Sequence, residues 1–202
     1  MTASTPPPAG KPGRYPRTFN GLIASMVVIV LGVLAFVGFR AVFRAEPTVD
    51  LQSVDYLSVV RLAQDSGFPV AYPPELPEEW TPTSSRFEGV DGTEWSVGIV
   101  VGEDDFVGVK VRTADVDDTL ENVLREEYET GDPVTVDATD PALAGEWGTA
   151  TQGVDTALTL RVPSLGGATG AEGITVVVYG SLDEDALADV AAGLTTEPLP
   201  AR

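Results

Sequence analysis

The chain has 202 residues and contains no cysteine and no histidine. It therefore offers no disulfide, no thiolate nucleophile and no imidazole base, and any catalysis would depend on carboxylates, hydroxyls, lysine or tyrosine. Residues 1–44 carry five basic residues and no acid, whereas residues 45–202 carry seven basic and all 31 acidic residues, which gives them a formal charge of −24. A segment with this much negative charge repels the phosphate backbone of nucleic acids. Nucleic acid is therefore not expected as a partner.

The first 50 residues predict a tail, a membrane helix and a spacer. Residues 1–17 are rich in proline and basic residues, a composition typical of a disordered tail. Residues 18–39 contain an uncharged apolar run from Leu22 to Phe39, which as a helix is about 27 Å long and matches a bilayer core. We expect a retained transmembrane helix followed by a juxtamembrane spacer at residues 40–50. A cleaved signal peptide and a buried core helix are the alternatives.

Charges on the two sides of this apolar run indicate its orientation. Lys11, Arg14 and Arg17 precede the run, whereas Arg40 and Arg44 follow it. This small excess of positive charge, together with the acidic body, favours a single-pass protein of the cell membrane with its N-terminus inside. The C-terminal domain is then expected outside.

Residues 51–197 predict an extracytoplasmic α+β domain. A helix opens it within SVDYLSVVRLAQDSG, residues 53–67, where apolar residues recur at helical spacing and Gly67 provides a C-terminal cap. Farther along, a period of two predicts strands, and two further helices are expected, one after Asp115 or Asp117 and one at residues 181–194. The predicted strands are residues 84–89, 94–102, 106–113, 145–152, 156–163 and 173–180.

This order of elements predicts a fold of two layers. Three strands and a helix occur twice in succession, which is consistent with two βββα units. Six strands with two or three helices suit an antiparallel sheet whose helices pack on one face. We expect the domain to be monomeric.

A proline-rich segment, GFPVAYPPELPEEWTPTSSRF at residues 67–87, separates the first helix from the first strand. Its prolines exclude a helix, so residues 68–81, which we name the collar, must run extended over a surface. In one interpretation the collar is structural and its aromatic residues close the core. In the other it forms the rim of a groove, in which Tyr72 and Trp80 contact a ligand.

Three arginines provide a second candidate surface. Arg86, Arg112 and Arg161 stand on three different predicted strands and are hypothesised to meet an anionic ligand on the exposed face of the sheet. The alternative is that they pair with neighbouring acids, which are abundant in this chain.

The acidic residues give only weak indications of chemistry. Glu78 and Glu79 lie beside Trp80, a setting in which a carboxyl group can become an acid catalyst. A glycosidase needs a second carboxylate at a fixed separation, however, and none stands out. The acids near Asp115 lack the glycine of a calcium loop and are interpreted as a helix cap. No metal ion or cofactor is expected.

Several motifs resemble an uncharacterised family of actinobacterial single-pass envelope proteins with a domain of unknown function. They are the helix that ends in SGFPV, the segment P-x-x-LPEEW-x-PTSSRF, the pair Gly145 and Trp147, and the final GSLDEDALADVAAGL. The resemblance extends over residues 18–195. It implies an extracytoplasmic α+β domain on an N-terminal anchor and brings no known activity with it.

These observations predict a membrane-anchored, non-enzymatic domain that binds an envelope protein or another ligand at the bacterial cell envelope. The alternative is a carboxylate-dependent cell-envelope hydrolase, which would lose its activity with Glu78 or Glu79.

Overall fold

The computed structural model of the protein describes residue 23 and residues 26–36, 52–88, 93–125, 127–165 and 168–200. The chain divides into two units, residues 1–50 and residues 51–202. The predicted tail at 1–17 and the spacer at 40–50 lie outside the described residues, as does part of the predicted membrane helix.

In the first unit, residues 26–36 form a helix, α1, whose apolar side chains are exposed. Among the described residues, no helix is both long enough and apolar enough to cross a membrane.

The second unit is an α+β domain built on an antiparallel sheet of eight strands, in agreement with the predicted class. The strand order is β1-β2-β3-β8-β7-β6-β4, and β5 pairs with β6. The elements are α2 (Tyr56–Asp65), β1 (Trp80–Phe87), β2 (Glu94–Val101), β3 (Asp105–Arg112), α3 (Val116–Leu124), β4 (Glu129–Thr130), β5 (Val134–Val136), β6 (Gly145–Gln152), β7 (Asp155–Leu165), β8 (Ala168–Gly180) and α4 (Glu184–Ala192).

Local signals placed most of these elements correctly. Each of the six predicted strands is present, and β6 has the predicted bounds. The side chains of Asp55, Asp115 and Asp183 each accept a hydrogen bond from a backbone N–H three residues later, so α2, α3 and α4 all begin after an aspartate cap. The short strands β4 and β5 were not predicted.

The order βββα occurs twice, as β1–β3 with α3 and as β6–β8 with α4. The two sets meet where β3 pairs with β8 at the centre of the sheet. Alternate residues of β8 then face opposite sides: Ile174, Val176 and Val178 belong to the main core, whereas Val177 belongs to a second cluster.

The prediction that the helices pack on one face is wrong. Helices α2 and α4 pack on the face of the main core, whereas Leu120 and Leu124 of α3 pack on the opposite face. There they meet small and apolar side chains of three strands, Ala150, Ala157 and Val177. The physical reason is that β8 is apolar on both sides, so each side of the sheet needs a helix to exclude water from it.

Candidate functional site

The collar and α4 enclose an open groove with a volume of about 330 Å³. One wall is formed by the collar and the start of β1, and the other by α4 and the residue that follows it. The lining residues are Pro73, Glu75, Leu76, Pro77 and Trp80 on the first wall and Ala186, Asp189, Val190 and Gly193 on the second.

The wall formed by α4 results from the two-sided pattern of this helix. Leu187 and Ala191 are fully buried in the main core. Ala186, Val190 and Gly193 recur at intervals of four and three residues and form a neighbouring stripe along the helix and its end. The side chains of this stripe are small, which leaves space between α4 and the collar.

The collar wall owes its shape to proline. Pro73 and Pro77 fix the backbone and donate no hydrogen bond. The Trp80 backbone N–H donates to the Pro77 carbonyl over 3.0 Å, which turns the chain into β1. The side chains of Leu76 and Trp80 are half-buried, because they pack against the main core and also line the groove.

The two walls are joined at one end by the backbone. The N–H of Tyr72 donates to the carbonyl of Thr195 over 3.0 Å, and the N–H of Thr195 donates to the carbonyl of Tyr72 over the same distance. Tyr72 directly precedes the collar wall, and Thr195 follows α4. This pair of hydrogen bonds therefore fixes the distance between the walls.

Tyr72 does not have the position that the rim interpretation requires. It is only 3% exposed, and its hydroxyl donates to the carbonyl of Glu197 over 2.9 Å. Burial, and after it the charge of Glu197, raise the pKa of Tyr72, so the hydroxyl remains a donor at neutral pH. The ring supports the groove from inside the domain.

Asp140 holds the chain that follows α4, residues 195–200, which we name the C-terminal strap. One carboxylate oxygen accepts hydrogen bonds from the N–H and the hydroxyl of Thr196, over 2.7 and 2.6 Å, and the other accepts from the N–H of Ala142 over 3.0 Å. Burial acts to raise the pKa of Asp140, but the hydrogen bonds from Thr196 and Ala142 outweigh it and lower the pKa. The strap is thus held by a charged acceptor.

Trp80 combines the two interpretations of the collar. Its ring contributes to the core and also lines the groove. Its indole N–H makes no hydrogen bond among the described residues, but it is not one of the buried polar atoms, so solvent reaches it. The two buried tryptophans differ from each other: Trp147 donates to the carbonyl of Leu143 over 2.9 Å, whereas the indole N–H of Trp95 is buried without a partner among the described residues.

The three arginines lie on one face of the sheet, the face on which α3 packs. Arg86 is aligned with Ser96, and both Arg112 and Arg161 are aligned with Thr175 of β8. Arg86 and Arg161 are exposed. The hypothesis that these arginines meet an anionic ligand stays a prediction.

Arg112 follows the alternative of pairing with an acid. Its Nε lies 3.2 Å from Glu94, and the same carboxylate lies 3.0 Å from the Nζ of Lys110. Arg112 also donates to the backbone carbonyl of Asp118 over 2.8 Å, and Lys110 donates to the side-chain oxygen of Asn122 over 2.5 Å. These two cations of β3 hold α3 against the sheet.

The carboxylates of the collar are not in a setting that favours acid catalysis. Glu78 and Glu79 are both exposed, whereas a carboxyl group that must stay protonated near neutral pH needs an apolar environment. Among the residues that the structure describes, no three carboxylates are grouped so as to hold a metal ion. The hydrolase alternative stays a prediction.

The rim interpretation of the collar placed Trp80 at a groove, but it did not include α4, which forms the second wall. The signal was the spacing of Ala186, Val190 and Gly193, which leaves a stripe of small residues beside the buried stripe of the same helix. A stripe of small side chains on a helix leaves room for another part of the protein or a ligand to lie close to it.

The chain belongs to the family described as "Protein of unknown function (DUF4245)", which matches residues 14–194. This match confirms the resemblance to a domain of unknown function. No curated protein matches the sequence. Two solved structures are similar, MucB in complex with MucA(peri) and the Pseudomonas aeruginosa MucA/MucB complex, each with 14% identity and a TM-score of 0.35. Each similarity covers 63% of this chain, and 37% and 35% of the respective matched chains.

Because the ring of Trp80 packs partly on the core and partly lines the groove, its removal should have an intermediate effect on the free energy of unfolding. Replacing Trp80 with alanine should lower the free energy of unfolding by about 2 kcal/mol, because only part of the ring is buried. Urea unfolding of residues 51–202 measures the change, and Trp80→Phe, which keeps most of the apolar contact, serves as the control. A loss of about 4 kcal/mol would mark a purely structural residue, and an unchanged midpoint would show that the ring does not support the core.

The charge of Asp140 predicts that stability depends on pH. Its folded pKa lies below the ordinary value of 3.8, so its stabilising contribution is complete above about pH 3.8 and is lost as the pH falls through the folded pKa. Asp140→Ala should cost about 1 to 2 kcal/mol at pH 7, and the difference from the unchanged chain should shrink below pH 3.8. Exposed Asp137→Ala is the control. An equal loss at pH 7 and pH 3 would contradict the role of the charge.

Proposed function

We propose that this member of the DUF4245 family is a membrane-anchored binding domain outside the cell membrane, and that the groove between the collar and α4 is its binding site. The observation that carries the proposal is the half-buried Trp80, which packs on the core and at the same time lines an apolar groove. An apolar concavity with a few convergent polar groups is the usual form of a binding site.

The groove is already shaped before anything binds. Prolines fix one wall, α4 forms the other, and the backbone hydrogen bonds between Tyr72 and Thr195 hold the two together. Binding to such a site orders few protein groups, which leaves more of the interaction free energy for affinity. This rigidity supports recognition of a partner.

The residues at the groove favour binding over catalysis. Its two carboxylates, Glu75 and Asp189, stand on opposite walls and are both exposed. The sequence supplies neither histidine nor cysteine to act beside them. We therefore infer a domain that holds a partner and leaves it chemically unchanged.

Placement at the membrane is supported by the N-terminal unit. The apolar run from Leu22 to Phe39 contains α1, whose side chains are apolar and exposed, as lipid-facing residues are. Basic residues before the run favour the tail inside and the binding domain outside.

This placement predicts the behaviour of the chain in cells. The protein should stay in the membrane fraction after an alkaline wash, because the apolar run remains in the bilayer. Protease added to intact cells with a permeable outer layer should remove most of its mass. Recovery of a soluble chain that begins after residue 35 would contradict a retained anchor.

A variant that fills the groove tests the binding site directly. Ala186 is half-buried and lines the groove, so Ala186→Phe should occupy the space of the ligand and abolish capture of the partner. Capture is measured by a photo-crosslinking residue at position 78 in intact cells. Ala144→Phe, which places the same ring at an exposed alanine outside the groove, is the matched control.

The two variants must also be compared by urea unfolding, to show that Ala186→Phe is folded. If folded Ala186→Phe captures the partner as well as Ala144→Phe does, the groove is not the binding site.

A further inference from the structure

Resting on the proposed function, we further propose that the occupant of the groove is an extended peptide segment of a partner protein that carries lysine or arginine on both sides of an apolar residue. The charge of the groove, its size and the solvent-accessible indole N–H of Trp80 all favour this occupant.

The charge of the groove is negative on both walls. Glu75 belongs to the collar wall and Asp189 to the α4 wall, and none of the lining residues that the structure describes is basic. The collar adds the exposed carboxylates of Glu78 and Glu79 directly before Trp80. An occupant with positive charge on both sides of its centre therefore complements the groove, and the acidic domain attracts it from a distance.

The size of the groove limits what can enter it. Its volume of about 330 Å³ lies at the lower end of the range for small-ligand sites. It suits one or two apolar side chains, which would pack on Leu76, Trp80 and Val190. The remainder of a bound peptide would lie at the opening, where the carboxylates of Glu75 and Asp189 are exposed.

The donors and acceptors of the groove favour an extended peptide over a helix. An extended chain presents backbone carbonyls that are not already hydrogen-bonded, and Trp80, which lines the groove, has a solvent-accessible indole N–H that makes no hydrogen bond among the described residues and can donate to one of them. A helix would keep its carbonyls in its own hydrogen bonds. The rings of Pro73 and Pro77 give the same wall as Trp80 a rigid apolar surface, and grooves of this kind recognise proline-containing extended segments.

The experiment uses the full chain in nanodiscs of zwitterionic lipid, so that the membrane does not attract cationic peptides. The probe is the acetylated and amidated peptide Lys-Pro-Leu-Pro-Lys-Leu-Lys with a fluorophore, and its acidic counterpart has glutamate in place of each lysine. We expect the basic peptide to bind at least about tenfold more tightly than the acidic one, with an affinity that falls as salt is added.

Matched variants test whether the preference for the basic peptide arises at the groove. The double change Glu75→Gln and Asp189→Asn should weaken binding of the basic peptide by about tenfold. Glu121→Gln with Asp155→Asn removes the same charge from exposed positions elsewhere and should change the affinity less than about twofold. Trp80→Phe, which removes the indole donor, should weaken binding by several-fold, on the order of one hydrogen bond.

Three outcomes would overturn the inference. Equal affinity for the basic and acidic peptides would remove the role of charge, and equal losses in the two double variants would show attraction by net charge without a site. Failure of both peptides to bind, while Ala186→Phe still abolishes capture in cells, would remove the cationic peptide as occupant and leave the proposed function standing. If Ala186→Phe fails to abolish capture in cells, the proposed function itself fails.

Discussion

Burial of the central strand β8 on both faces is the constraint on which the rest of this domain depends. Ile174, Val176 and Val178 face the main core, and Val177 faces the opposite cluster. Each such side chain gains about 1.5 to 3 kcal/mol when it is removed from water, so neither face of the strand tolerates exposure. Helices therefore cover both sides, α2 and α4 on the main core and α3 on the opposite cluster. Because α4 covers the side of the main core, it comes to lie beside the collar, and the groove between them follows from that position.

Polar interactions fix the geometry that apolar burial leaves undetermined. On one face, Lys110 and Arg112 share the carboxylate of Glu94 and hydrogen-bond to α3. Partly buried ion pairs of this kind contribute little net stability, because desolvation offsets their attraction, but they specify where a helix sits. On the other face, the backbone pair between Tyr72 and Thr195 performs the same task for the walls of the groove.

The collar contributes both to the core and to the wall of the groove, because its residues differ in how deeply they are buried. Tyr72 is buried and supports the groove, whereas Trp80 packs on the core with part of its ring and lines the groove with the rest. The same rigid backbone that holds the ring of Trp80 against the core therefore also holds it at the groove. The carboxylates of Glu75 and Asp189 make the lining of this otherwise apolar groove negatively charged.

The sequence by itself determined the features that depend on neighbours along the chain. Apolar residues at helical spacing located α2 and α4, an aspartate cap located α3, alternation located the six long strands, and short motifs indicated the family. It did not determine on which face α3 packs, although the apolar run ITVVV at residues 174–178 carried the signal of a strand buried on both sides. Nor did it reveal that α4 forms the second wall of the groove, because the collar and α4 are far apart in sequence and meet only when the sheet brings the two βββα sets together. Caps and periodicity are local properties of the backbone, whereas the face that a helix covers and the space it leaves are decided by the packing of distant residues, and only the tertiary structure contains that packing.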